Sequence, residues 1–458
     1  MNKRILIILL SGWLLQACVD VEVQPTDEVP AEQAFASKNS IQAVLNGVYD
    51  GLQSAAIVQD YVFFADLAAD NFVSAGSNIA YREIGDNRIT SFNGAIEGIW
   101  NSHYDVINRA NELIAGLSGN PNFDQEFLDS QIGQARFIRS FAYFNLVRMF
   151  GPIPYREQPA GGDIEAEINQ PRVDTSTVYQ NIINDLNAAE VELEGTGTGS
   201  DNTLVSEAAV KALLARVYLY HGNNDKAAEK AQEVIDFGYS LVSNENYMDI
   251  FNEAKSNDEI IFAIDYVNDE ARNTLSTFSQ PEPEGRLEVA ATKALYDAFA
   301  DEDLRKDTAV VQEGDIYYLN KYTDVVNLSD NGIVLRLAEM YLIKAEALNE
   351  LNYVADGEAF DLLNEVRNRA GLADLDASMA ASQEEFLQYI KEERRRELAG
   401  EGHRWFDLIR YGDAVEMLEE KGTLRRDNDD LDNQLLFPIP QSEIDTNLDP
   451  EMYQNEGY

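Results

Sequence analysis

Residues 334–370 read VLRLAEMYLIKAEALNELNYVADGEAFDLLNEVRNRA, and this stretch decides the fold. Val334, Ala338, Tyr341, Ala345 and Leu348 recur at spacings of four and three, which lines one face of an α-helix. A polar break follows. Ala359, Leu363, Val366 and Ala370 then repeat the spacing, so the segment reads as two amphipathic helices joined by a turn. Alanines stand where two helices must approach closely. An earlier stretch has the same design: Val210, Leu213, Leu214 and Val217, a turn at His221–Asn224, then Ala227, Ala228, Ala231, Val234 and Ile235. One such hairpin cannot bury its own apolar face and must stack on another, which is the logic of tetratricopeptide-like units. Unrelated antiparallel helix pairs in an all-helical core give the same periodicity. Roughly a hundred residues separate the two pairs, so the units are not tandem.

Outward from these hairpins the chain remains mainly α. Phe137 to Phe150 is a strongly apolar helix, halted by Gly151 and Pro152. Short strands are expected over Glu259–Tyr266 and Asp315–Tyr322. Irregular stretches lie at 70–94, 156–172, 191–203, 265–290 and 420–436, and such loops on a helical frame are where binding residues gather.

At the N-terminus, Lys3 and Arg4 precede an apolar run, and Leu15-Gln16-Ala17-Cys18 ends it on the only cysteine. Residues 1–17 read as a lipoprotein signal peptide, with Cys18 as the lipidated N-terminus of the mature chain. An ordinary signal followed by an incidental cysteine has the same layout. Residues 18–33, acidic and carrying two prolines, suit an extended lipidated tether. The apolar run falls short of the roughly 18 residues of a membrane span, so the expected attachment is lipid.

The formal charge is −46, and −48 once Lys3 and Arg4 depart. That field repels DNA, RNA and anionic lipid, so no nucleic-acid partner is expected. Catalytic patterns are missing: no phosphate loop, no His-Glu-x-x-His, no Gly-x-Ser-x-Gly. His103, His221 and His403 are scattered, and no metal or cofactor is expected. The run from Asp427 to Asp432 has Asp432 where an EF-hand needs glycine and Pro438 where it needs glutamate, so it reads as a solvated acidic loop. Trp100 and Trp405 sit within helical patterns and read as core. Glu393-Arg394-Arg395-Arg396-Glu397 reads as a charged helix face with its charges locally matched.

Ordered motifs carry a resemblance. Ala135-Arg136-Phe137-Ile138-Arg139-Ser140-Phe141-Ala142-Tyr143-Phe144 leads to Phe150-Gly151-Pro152-Ile153-Pro154. Later come Arg336-Leu337-Ala338-Glu339, Leu363-Asn364-Glu365-Val366-Arg367-Asn368-Arg369-Ala370-Gly371-Leu372 and Glu393-Arg394-Arg395-Arg396-Glu397-Leu398. Glu401-Gly402-His403-Arg404-Trp405-Phe406-Asp407-Leu408 follows, and Gln454-Asn455-Glu456-Gly457-Tyr458 closes the chain, with Glu456 where the resemblance expects proline. Together they resemble the SusD/RagB family of nutrient-binding outer-membrane lipoproteins of Bacteroidota.

The resemblance implies a SusD-like fold: about four tetratricopeptide-like helix pairs, few short strands and a loop-rich ligand-binding face. It implies regions 34–220 and 221–458 intertwined in one globular domain, and no catalysis. It also implies that Arg394 and Glu397 make buried ion pairs and do not contact ligand. The implied partners are an oligosaccharide, or a peptide as in the RagB branch, and a SusC-like TonB-dependent transporter that imports the captured ligand. A protein–protein scaffold lipoprotein is the remaining alternative. The implied location is the outer membrane, lipid-anchored and facing the exterior. Segments matching the family's binding loops offer Asp70, Asn71, Phe72, Tyr81, Arg82 and Asn87, and the middle of the chain offers Tyr266, Phe278 and Arg286. Aromatic faces suit the C–H surfaces of sugars, and the fixed polar groups suit their hydroxyls.

Overall fold

The computed structural model describes residues 31–161, 169–266, 272–425 and 431–458. The signal 1–17, Cys18, most of the tether and the acidic run from Asp427 to Asp430 lie outside the described residues.

Eight long helices form the frame: α1 (Lys38–Leu52), α2 (Gly94–Leu117), α3 (Gln125–Phe150), α4 (Thr175–Glu192), α5 (Glu207–Tyr220), α6 (Asn224–Ile235), α7 (Leu337–Leu351) and α8 (Glu358–Arg369). Most begin on a side-chain cap. Ser37 makes a capping box, and Asn93, Asp124, Asp174, Ser206 and Asn223 each accept a hydrogen bond from an amide of the first turn. Each helix in the series packs on the next, α1 on α2 through to α7 on α8, so the eight make four stacked pairs. The two hairpins read from the sequence are α5–α6 and α7–α8. Although about a hundred residues separate them in the chain, α6 lies directly against α7. The intervening segment is looped out of the stack, because Ala227, Ala231, Ala338 and Ala345 bury their faces only when the hairpins meet.

Helix α3 runs through the middle of the frame. From Phe137 to Phe150 every residue is buried, and Gly151 ends the helix at φ 71°. Rings such as Phe137, Phe144 and Phe150 each contribute about 1.5–3 kcal/mol by leaving water. The C-terminal motif docks on this end: Asn455 Nδ2 donates to the carbonyls of Phe150 (3.0 Å) and Phe437 (2.7 Å), while its Oδ1 accepts from Arg172 (2.6 Å).

One correction concerns Val334, expected in the first helix of the hairpin. It lies in a strand, Gly332–Arg336, and α7 starts at Leu337. Ile333, Val334 and Leu335 are wholly enclosed and pair antiparallel with Ile260–Ile264, and a short, fully buried apolar run takes the strand when an edge is offered. Two other two-stranded ribbons occur. Phe72–Ser74 pairs with Val289–Ala291, and Val310–Glu313 pairs with Ile316–Leu319. The expected strands at 259–266 and 315–322 are thus both present in shortened form. No helix among the described residues is long and apolar enough to cross a membrane.

After α8, helix α9 (Gln383–Glu397) and helix α10 (Arg404–Tyr411) close the fold over a buried charge network. Glu397 accepts from Arg305 (2.6 Å), Arg336 (2.5 Å) and Arg369, and Arg394 pairs with Asp407 (3.1 Å), so both residues read as buried ion-pair partners are so engaged. Trp100 and Trp405 are 2% and 1% exposed and belong to the core.

Candidate functional site

The loop-rich face is built by the segment after α1 and by the long insertion between α6 and α7. A π-helical turn, Ala56–Asp60, leads into the helix Tyr61–Leu67. Its wider turn sends Ile57 and Val58 into the core while Gln59 and Asp60 line a polar network with Tyr81. Opposite, Ser74 pairs with Val289, and the amides of Ala75 and Gly76 donate to the Glu288 carbonyl. A Cβ at Gly76 would lie 2.9 Å from the Glu288 Cα, so this approach requires glycine. Asn78 then caps the short helix Ile79–Gly85, which carries Tyr81 and Arg82.

Tyr81 is 1% exposed. Its ring meets Phe64 edge-on at 5.3 Å and lies 5.8 Å from Phe278, while its hydroxyl donates to Asp60 Oδ1 (2.6 Å) and accepts from Gln59 Nε2 (2.7 Å). Thr274 donates to the other side of Gln59. Burial raises the Asp60 carboxyl above its ordinary value, and the Tyr81 and Gln59 hydrogen bonds act against that shift. Phe278, on the short helix Leu275–Ser279, is half-buried, with the Arg286 guanidinium 5.2 Å from its ring centre. Arg286 also donates to Glu288 Oε1 (2.8 Å), and Glu288 Oε2 accepts the Asn78 amide (3.1 Å). The Arg286 side chain is 58% exposed. Arg82 is exposed and has no polar partner among the described residues. The cluster therefore offers a half-covered ring and an exposed guanidinium, held in fixed positions by the bonded Glu288 carboxylate and the Gln59 amide beneath them. These groups can stack on a ligand and hydrogen-bond to it.

Thus Tyr81, Phe278 and Arg286 come together, with Tyr81 as their support rather than their outer face. Apart from the exposed Arg82, the other candidates face inward. Asp70 is gripped by Arg404 (2.8 and 3.1 Å) and Arg395 (2.9 Å); burial favours its neutral form, but these charges overcome it and hold the carboxyl below the usual range. Asn71 is fully enclosed between Asp66 and Arg395, and Phe72 is fully buried in its strand. Asn87, at φ 51°, bonds Gln434 (3.0 Å), and Tyr266 donates to the Gln53 carbonyl (3.1 Å). On this geometry Asp70, Asn71, Phe72, Asn87 and Tyr266 hold the loops in shape and are withdrawn from ligand. The reason is general: a loop laid against a core must satisfy its polar groups, and its Asn and Asp side chains are the nearest means.

Gln59, Asp60, Thr274 and Glu288 were not among the sequence candidates. Nothing in the pattern marks them: Gln59 meets Thr274, and Glu288 meets Asn78, only through contacts spanning more than two hundred positions. Among the described residues no three His, Cys, Asp or Glu side chains come together to hold a metal ion. His103 is enclosed, and burial lowers its pKa to about 4.

Comparison with known proteins agrees across the whole chain. A profile of the SusD family matches residues 312–458, and a profile described as starch-binding associating with outer membrane matches residues 21–219. A SusD-like protein of Formosa agariphila is 28% identical, with 97% of each chain aligned. A solved laminarin-binding SusD-like protein superposes with a TM-score of 0.78 at 27% identity, over 92% of this chain and 99% of the other. Surface glycan-binding protein A of Bacteroides thetaiotaomicron, solved with laminarihexaose, shares the fold at a TM-score of 0.76 and 21% identity, over 91% and 99% of the two chains.

Proposed function

The chain belongs to the SusD/RagB family, and from that membership we propose that it binds oligosaccharides without catalysis. It presents them on its loop-rich face and passes them to a SusC-like TonB-dependent transporter for nutrient uptake. Cys18 anchors it by lipid to the outer membrane, with the folded part facing the exterior. The observation that carries this reading is the Phe278–Arg286 pair on its Tyr81–Asp60–Gln59 base. A half-buried ring receives the C–H face of a sugar, and fixed polar groups around it receive hydroxyls. The likeness to a laminarin-binding SusD-like protein supports a glycan as ligand.

Calorimetry on the chain from Val19 onward, against a panel of neutral oligosaccharides including laminarihexaose and against a mixed peptide digest, tests it. Expected is affinity for one glycan class that falls about tenfold or more in Phe278→Ala and Arg286→Ala. Binding of peptides with no response to glycans overturns the reading in favour of RagB-like peptide capture. Silence toward both panels in the presence of the co-purified transporter leaves the scaffold alternative. Membrane fractionation of Cys18→Ala tests the anchor: the variant should leave the membrane fraction with ligand affinity intact.

A further inference from the structure

Away from the loop-rich face, helix α2 and the extended segment 154–160 enclose a cleft of about 290 Å³. Tyr104, Asn108, Tyr155, Arg156 and Gln158 are among its lining. The segment is clamped from behind. The Tyr143 hydroxyl donates to the Arg156 carbonyl (2.9 Å) and accepts its amide (2.6 Å), and Asn111 donates to the carbonyls of Arg156 (3.1 Å) and Gln158 (3.2 Å). Tyr155 stacks on Tyr143 with ring centres 4.3 Å apart. The cleft is therefore a seat of fixed shape, and a ligand entering it orders little of the protein.

Arg156 is the unusual member. Its guanidinium lies 5.6 Å from the Tyr104 ring, its Nε is enclosed without a hydrogen-bond partner, and among the described residues it makes no ion pair, Glu443 acting on it only through its longer-range charge. Among the described residues every other arginine that is not exposed donates to a carboxylate, carbonyl, hydroxyl or amide oxygen: Arg139 to Asp185, Arg216 to Glu339, Arg148 to Tyr61 and Arg172 to backbone carbonyls, for example. In a chain with 81 acidic and 35 basic residues, a half-buried guanidinium with no hydrogen-bond acceptor among the described residues is an open seat for an anion. The one carboxylate on the lining, Glu157, is exposed at the rim, where water screens it more than it screens the enclosed cation.

We propose that this cleft is a second saccharide site, selective for a sugar that carries a carboxylate. The planar fork of Arg156 takes the two carboxylate oxygens, the Tyr104 and Tyr155 rings flank the pyranose, and the exposed Gln158 amide reaches its hydroxyls. The site is independent of the Phe278–Arg286 cluster.

The probe is trigalacturonic acid, with its methyl ester as the neutral twin, titrated calorimetrically into the full mature chain. A salt concentration of about 0.15 M, with a Debye length of about 8 Å, hides the long-range acidic field while leaving the contact. The acid should bind more tightly than the ester. Arg156→Gln should weaken the acid roughly ten- to hundredfold and leave the ester and the loop-face glycan unchanged. Gln158→Glu, at an exposed position that cannot disturb folding, should also weaken the acid. Four results overturn the proposal: equal affinity for acid and ester, no effect of either variant, loss of acid binding in Phe278→Ala but not Arg156→Gln, or capture of a free-acid tripeptide in place of the uronate. The third leaves the loop-face reading standing, so the two sites fail separately.

Discussion

Replacing Glu397 by Gln should cost this protein about 3 kcal/mol, although it removes a single charge and almost no volume. Glu397 Oε2 accepts from Arg305 (2.6 Å), and Oε1 accepts from Arg336 (2.5 Å) and Arg369. All four side chains are at most 4% exposed. Breaking a buried ionic cluster by neutralising one member typically costs 3–5 kcal/mol, because the remaining charges stay desolvated. The lower end applies here, since Glu259 still accepts from Arg336 and Arg369 (both 3.0 Å) and Glu393 still faces Arg305 (2.7 Å). A glutamine also turns its Nε2 toward at least one guanidinium, donor against donor. With an unfolding entropy of about 2 cal/mol/K per residue over a chain of this length, 3 kcal/mol lowers Tm by only about 3 °C, so equilibrium urea unfolding is the sharper assay.

Glu392→Gln is the matched control. It makes the same chemical change on the same helix, at a half-exposed carboxylate whose Arg396 partner is 3.9 Å away and is held by Glu393 in any case, and should cost under about 0.5 kcal/mol. Burial favours the neutral form of Glu397, but the Arg369, Arg336 and Arg305 charges outweigh it and hold the carboxyl well below its ordinary value. For a carboxyl depressed by folding, the stabilisation is complete above the unfolded pKa near 4.3 and disappears as the pH falls through the folded value. The gap between wild type and Glu397→Gln should therefore be constant from pH 8 to about 5 and shrink below pH 4. A loss in Glu397→Gln no larger than in Glu392→Gln would refute the reasoning.

Three further outcomes are expected. Tyr81→Phe removes the hydroxyl that Asp60 and Gln59 share, so urea unfolding should show a loss of about 1–3 kcal/mol from the groups left unpaired. Asp66 is fully buried, and enclosure pushes its carboxyl up to about 7 against the opposing Asn71 hydrogen bond. Between its unfolded pKa near 4 and pH 7 the folded state keeps a proton that the unfolded state releases, so this group's contribution to stability falls as the pH rises. Relative to Asp66→Asn, wild type should lose about 1 kcal/mol per pH unit between pH 5 and 7, and parallel curves would contradict this. Gly76→Ala drives a methyl into Glu288, the residue that holds both Arg286 and the Asn78 amide. Glycan affinity should fall by a larger factor than in the exposed-site variant Arg82→Ala.

Much of the scaffold was legible in the chain. The 3.6-residue stripes of α5–α6 and α7–α8 mark their helices, because an apolar face at that spacing has one way to leave water. The ion-pair roles of Arg394 and Glu397 were expected from the resemblance, since helix α9 is itself charged and its pattern does not mark which of its charges are buried. Legibility ended where burial depends on remote partners. Asn71, Asn87 and Tyr266 have the composition of binding residues, and only the folded loops reveal them clasping Arg395, Gln434 and the Gln53 carbonyl. Val334 continues a helical stripe on paper, but a buried strand edge at Ile260–Ile264 claims it.

By itself the sequence determined a mainly helical chain of stacked amphipathic hairpins and its acidic character, both of which follow from local periodicity and composition. Tertiary structure alone decided that hairpins a hundred residues apart lie side by side, and which loop residues face outward. It also set Phe278 beneath Arg286 and left Arg156 without a partner. The difference is physical: an amphipathic stripe is written within a few turns of one helix, whereas exposure and pairing belong to groups that meet only after the chain has closed.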